Sequence, residues 1–148
     1  MPWLIVVIIA SFFANKSALP LLPLPEWLCY LVCALLAILG MSLLVLGMQA
    51  CPLRILSGRD RSVLITKGIY SYIRHPICLS CILLAFSAAI GFRSTVGLAI
   101  AILALIIAYA HASFEERKLE RGFGKAYREY RSRVGMFLPK RRTTKTSE

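Results

Sequence analysis

From Trp27 to Met48 the chain carries no charged side chain. As a helix rising 1.5 Å per residue this run is about 33 Å long, enough to cross the ~30 Å hydrocarbon core of a bilayer. Trp27 stands at its edge, where an indole anchors well at the headgroups. Two more apolar runs follow, Pro76 to Phe92 and Thr95 to about Phe114, separated by the turn Gly91-Phe92-Arg93-Ser94. A shorter one precedes, Trp3 to Ala14, interrupted by Asn15-Lys16-Ser17 and extended by Ala18 to Leu22. If Lys16 snorkels, that segment spans and ends near Pro20; otherwise it is half-inserted. Pro20, Pro23 and Pro25 then make a short, stiff connection.

These runs predict an all-α fold: a polytopic membrane helical bundle of about four transmembrane helices with a C-terminal cytoplasmic amphipathic helix. The composition agrees, with 58% hydrophobic and only 17% charged residues, far from a soluble balance. A single domain over residues 1–139, with its motifs in 50–139, accounts for the 148 residues. The tail 140–148 reads as basic and disordered. The net charge of +11 sits in two places: of 18 Lys and Arg, 11 lie from Arg117 onward and 5 between Arg54 and Arg74. Both basic regions flank apolar runs, which points to cytoplasmic retention and anionic lipid rather than nucleic acid. The partner expected is therefore the lipid bilayer, with the motif loop and the C-terminus cytoplasmic. Cys78-x-x-Cys81 has no His or second pair at ligand spacing, so the five cysteines read as small packed residues and no metal is expected. The amino terminus lacks the basic start of a cleavable signal peptide.

The chemistry gathers at Gly68 to Ser80, where a charged loop becomes a span. Pro76 is suited to the first helical position, and Arg74 and His75 stand just before it at the membrane surface. Ionisable groups so near hydrocarbon are costly, which marks them as functional candidates; the plainer reading is that they anchor the span. The last run carries Ala104, Ala108 and Ala112 at a spacing that lets helices approach closely. His111 and Glu115 share nearly the same face. Beyond Glu115 a charged helix carries Leu119, Phe123, Tyr127, Tyr130 and Val134 on one stripe, with Gly122 and Gly124 placed to bend it.

Gly68-x-Tyr70-x-x-x-Arg74-His75-Pro76, followed by Glu115-Glu116-x-x-Leu119-x-x-x-Phe123-Gly124-x-x-Tyr127-x-x-Tyr130, resembles the isoprenylcysteine carboxyl methyltransferase family. The membrane phospholipid N-methyltransferases are similar. The resemblance covers residues 50 to 139 and implies S-adenosyl-L-methionine as cofactor and a lipophilic or small apolar methyl acceptor. It implies cofactor contacts at Ser62, Val63, Leu64, Ile65, Tyr70, His75, Pro76, Ile77, Cys78 and Glu115. Glu116 joins them as a second acidic acceptor, and Tyr127 and Tyr130 as supporting wall. Arg74 and His111 are the catalytic candidates. For the Glu115-Glu116 pair the alternative is a solvated first turn of the surface helix.

Three departures from the family pattern matter. Its Arg-His-Pro-x-Tyr-x-Gly becomes Arg74-His75-Pro76-Ile77-Cys78-Leu79-Ser80, and its Gly-Pro-Tyr or Gly-Val-Tyr becomes Gly68-Ile69-Tyr70. The arginine expected four residues before the first glutamate, a contact to the substrate carboxylate, is His111. A histidine there reads either as a neutral core imidazole or as a general base for an acceptor that must lose a proton, a thiol, phenol or amine. A membrane sterol-reductase-like enzyme using NADPH and a non-enzymatic membrane subunit are the competing readings. A phosphate-rich cofactor favours a basic site over a Glu-Glu pair.

Overall fold

In the computed structural model, residues 24–51 and 63–140 are described. They form four helices and no extended strand: α1 Glu26–Ala50, α2 Pro76–Gly91, α3 Thr95–Phe123 and α4 Lys125–Arg133. A 3-10 turn, Gly68–Ser71, precedes α2. The expected first span and the tail from residue 141 lie outside the described residues.

α1 and α2 pack as an antiparallel pair through small residues in register. A Cβ on Gly47 would come within 2.8 Å of Ile77 Cγ1, and one on Gly40 within 3.0 Å of Leu84 Cγ. One on Gly91 would sit 2.8 Å from Cys33 Sγ. The contacts step seven residues at a time, forward along α1 (33, 40, 47) and backward along α2 (91, 84, 77), the spacing of an interhelical seam. Ser87 Oγ donates to Cys33 O at 2.9 Å across the same seam. α2 and α3 then meet through alanines. Ala85, Ala89, Ala101 and Ala104 form one cluster, and Ala108 packs with Cys78 and Ile82 in the next. The alanine row expected on α3 is buried at 104, 108 and 112.

α1 and α3 are each long and apolar enough to cross a membrane. Their outer faces carry large apolar side chains that no described residue covers, Ile38 at 66% exposure and Ile106 at 59% among them. Water would penalise such belts; hydrocarbon does not. α2, at 16 residues, is about 24 Å long and shorter than the core is thick. The turn into α3 is tight: Arg93 takes φ 52, and Ser94 Oγ caps α3 by accepting from Gly97 N at 2.9 Å. Arg93 also pairs with Glu26 and donates to Leu24 O, tying this turn to the start of α1.

The apolar run ends near Phe114, but the helix does not. α3 continues unbroken to Phe123 and carries its charged third on the same rod as its apolar part. The break comes at Gly124, whose φ of 52 suits glycine. α4 then folds back, and Arg131 reaches Glu116 and Glu120 on α3 at 3.5 and 3.4 Å. The stripe expected on one helix is therefore shared by two. Tyr127, Tyr130 and Val134 form a cluster against which Leu119, Phe123 and Leu64 pack.

Candidate active site

The end of α1, the loop from residue 63 to Arg74, the start of α2 and the charged third of α3 converge on a cavity of about 300 Å³. That is the small end of the range for ligand pockets. Val63, Leu64, Ile65 and Tyr70 line it from the loop, and Arg74, His75, Pro76, Ile77 and Cys78 from the junction. His111 and Glu115 line it from α3, and Tyr127 and Tyr130 close it from α4. Ser62 lies outside the described residues. Glu116 does not line the cavity; its carboxylate is buried on the flank of α3, beside Arg74.

Local chemistry explains why the junction sits so. Gly68 takes φ 62, open to glycine, and a Cβ there would approach Ala50 at 3.2 Å. Pro76 occupies the first turn of α2, with His75 in the capping position at φ −124. Tyr130 Oη donates to Tyr70 O at 2.7 Å and pins the 3-10 turn to α4. Tyr127 and Tyr130 meet edge to face at 6.1 Å.

Arg74 and Glu116 form the electrostatic centre. Nη2 lies 3.0 Å from Glu116 Oε1, with side chains 8% and 6% exposed. His75 Nε2 is 3.4 Å from the same oxygen, and its Nδ1 is 3.7 Å from Glu115 Oε2. Burial holds the His75 imidazole below its ordinary value of 6.5; Glu115 opposes this and the Arg74 charge adds to it. The ring is thus neutral at pH 7. Burial also keeps the Tyr70 and Tyr127 phenols well above the ordinary range and pushes Tyr130 to about 12. All three remain donors at physiological pH.

Several buried polar atoms make no hydrogen bond among the described residues: Arg74 Nε and Nη1 and Tyr127 Oη. Unsatisfied buried donors are rare and costly, so three on residues that line one cavity call for a ligand with acceptor atoms. Glu115, about half exposed, offers the complementary acceptor.

Sequence reasoning missed Cys51, Ala112 and Leu119, which also line the cavity. Cys51 follows directly on α1 and is buried, which raises its thiol pKa; the Tyr70 side chain works the other way. Nothing in its local sequence marks it. Ala112 belongs to the recognised small-residue row, which signalled helix packing rather than a cavity wall. Among the described residues no cluster suited to a metal ion occurs.

The pattern of the phospholipid methyltransferase family matches residues 28–126. The chain belongs to that family. The match takes in most of α1, the junction, α2, all of α3 and the first two residues of α4; Tyr127 and Tyr130, which close the cavity, lie beyond it. Methanethiol S-methyltransferase 1 of Bradyrhizobium diazoefficiens is 37% identical over 79 residues, 53% of this chain and 27% of the relative. The chain thus aligns with about a quarter of that protein's length. No solved structure matches the chain.

Proposed function

We propose that this phospholipid-methyltransferase-family protein is an integral membrane S-adenosyl-L-methionine-dependent methyltransferase whose acceptor is a small lipophilic molecule, a thiol foremost. The observation that carries this is the set of buried donors on Arg74 and Tyr127 that make no hydrogen bond among the described residues, at a cavity whose α3 wall carries Glu115. The cofactor's carboxylate suits the Arg74 guanidinium and Tyr127 hydroxyl, and its ammonium suits the Glu115 carboxylate. The loop backbone at Val63 to Ile65 would meet the adenine. Tyr70, Pro76, Ile77 and Cys78 would complete the wall. When bound, the cofactor supplies an electrophilic methyl group on a sulfonium.

His111 lines the cavity one helical turn before Glu115. As a general base it would take the proton from an acceptor thiol, which attacks only as thiolate. A carboxylate acceptor needs no base, which separates this chain from prenylcysteine methylation. The name of the 37% identical relative, a methanethiol S-methyltransferase, agrees with a small thiol. Arg74, fixed by Glu116, would act electrostatically on the bound cofactor.

In the topology proposed, α1, α2 and α3 cross the membrane. The cavity and α4 then lie on the cytoplasmic side with both basic regions, and Arg93 on the other. An acceptor that partitions into the bilayer can reach His111 laterally from lipid. Titrating the purified protein with S-adenosylhomocysteine and with NADPH tests the cofactor. Methyl transfer from labelled S-adenosylmethionine to short alkyl thiols tests the acceptor. Binding of NADPH alone would replace this reading with the reductase one, and binding of neither with a non-enzymatic one.

A further inference from the structure

Beyond α4 the chain makes a short strap that returns to the junction before α2. Val134 is buried with Tyr127 and Tyr130, and the next residue, Gly135, forms a parallel bridge with Ile73. The Arg74 N–H donates to Gly135 O at 2.9 Å, and the His75 N–H to Met136 O at 3.1 Å. Phe137 then sets its ring against that of His75, centroids 6.3 Å apart and tilted 60°. Its other neighbour is Tyr109 at 6.5 Å, and it packs on the Cys78, Ile82 and Ala108 cluster. Three consecutive residues therefore grip the backbone of Arg74 and both the backbone and the ring of His75.

The strap's own turn depends on glycine. A Cβ at residue 135 would overlap Leu138 O and lie 3.0 Å from Leu138 C. Both are backbone atoms that cannot step aside. Lys140 fastens the far end by donating to Arg131 O and Ser132 O at 3.1 and 3.2 Å. The grip has a physical purpose. Arg74 and His75 precede a proline, so neither N–H belongs to α2, and buried N–H groups must find acceptors elsewhere.

We propose that Gly135, Met136 and Phe137 are positioning residues: the first two hold the Arg74-His75 backbone, and Phe137 holds the His75 ring in place and dry. Only the link to ligand binding rests on the cofactor reading above. The charged and titratable groups around His75 are Arg74 beside it, and Glu115, Glu116 and His111 from α3. Arg131 of α4 stands against Glu116.

The test uses the full-length protein in detergent. Its two histidines allow each imidazole to be followed by NMR on histidine-labelled protein, with His111→Asn for assignment. Phe137→Ala is expected to raise the His75 midpoint toward the ordinary value of about 6.5, because water replaces an apolar ring. Phe137→Tyr is expected to restore it. Binding of S-adenosylhomocysteine is expected to weaken about tenfold in Phe137→Ala and to recover with Tyr, as misplacement of a binding group predicts. A His75 midpoint unchanged in folded Phe137→Ala protein overturns the proposal, whatever happens to binding. If that variant does not fold, Phe137→Thr, which keeps some bulk but admits water beside the imidazole, is judged by the same midpoint. If the wild-type protein binds no S-adenosylhomocysteine, the cofactor reading fails while the His75 midpoint still decides the strap.

Discussion

Arg74 and Glu116 stand 3.0 Å apart with both side chains almost wholly buried, and His75 leans on the same carboxylate. Adjacent glutamates on α3 thus have unlike surroundings, since successive helical residues point about 100° apart. Glu116 belongs to the frame of the site, and Glu115 faces the cavity.

Removing Glu116 strands a buried guanidinium, so Glu116→Ala is expected to cost about 3–5 kcal/mol of stability. Thermal unfolding in mild detergent measures it. Glu115→Gln should leave the melting temperature nearly unchanged while weakening S-adenosylhomocysteine binding by about 1.5–3 kcal/mol. Equal effects of the two changes on the melt would refute this division of labour.

His75 also makes stability depend on pH. Its folded pKa lies below the ordinary 6.5 because burial disfavours the imidazolium. The unfolded chain therefore takes up the proton first as pH falls. The contribution is complete above about pH 6.5 and shrinks below it, down to the folded value. Melts from pH 8 to pH 5 should show this decline, and His75→Asn should flatten it. A wild-type slope that survives in His75→Asn belongs to another group.

Three glycines should answer differently to gaining a side chain. Gly47→Leu drives a side chain into Ile77, which lines the cavity, and should cost about 1–3 kcal/mol as overpacking. Gly122 lies inside α3 with nothing within 4 Å of an added Cβ. Gly122→Ala should therefore stabilise by about 0.5–1 kcal/mol. Gly124→Ala faces the φ of 52 and should cost about 1–2 kcal/mol. Chemical unfolding of the three variants ranks them.

His111→Ala should divide turnover from affinity. If the imidazole acts on the acceptor, turnover falls roughly 10²–10⁴-fold while S-adenosylhomocysteine affinity holds. Single-turnover methyl transfer with an alkyl thiol reads the first, and calorimetry the second. Turnover within a few-fold of wild type would return His111 to a packing role.

The linear chain carries the helices and most of the cavity in plain view. Uncharged runs give α1 and α3 because hydrocarbon demands an internally bonded backbone over a set length. The Arg74-His75-Pro76 junction marks the start of α2 because proline tolerates only that position. The alanine row of α3 was legible as a packing face, since small residues at a regular spacing let another helix approach closely. The unequal fates of Glu115 and Glu116 were not legible, because helical spacing orients two neighbours but cannot say which one meets Arg74. Nor was the seam of Cys33, Gly40 and Gly47, whose meaning depends on the register of a partner helix distant in sequence. The strap at Gly135 to Phe137 is the clearest case. Its three residues are unremarkable in the chain and act only where the turn at Gly124 returns α4 to the junction. Local runs and breaks follow from short-range sterics and transfer free energy, whereas partner choice depends on contacts between residues far apart in the chain.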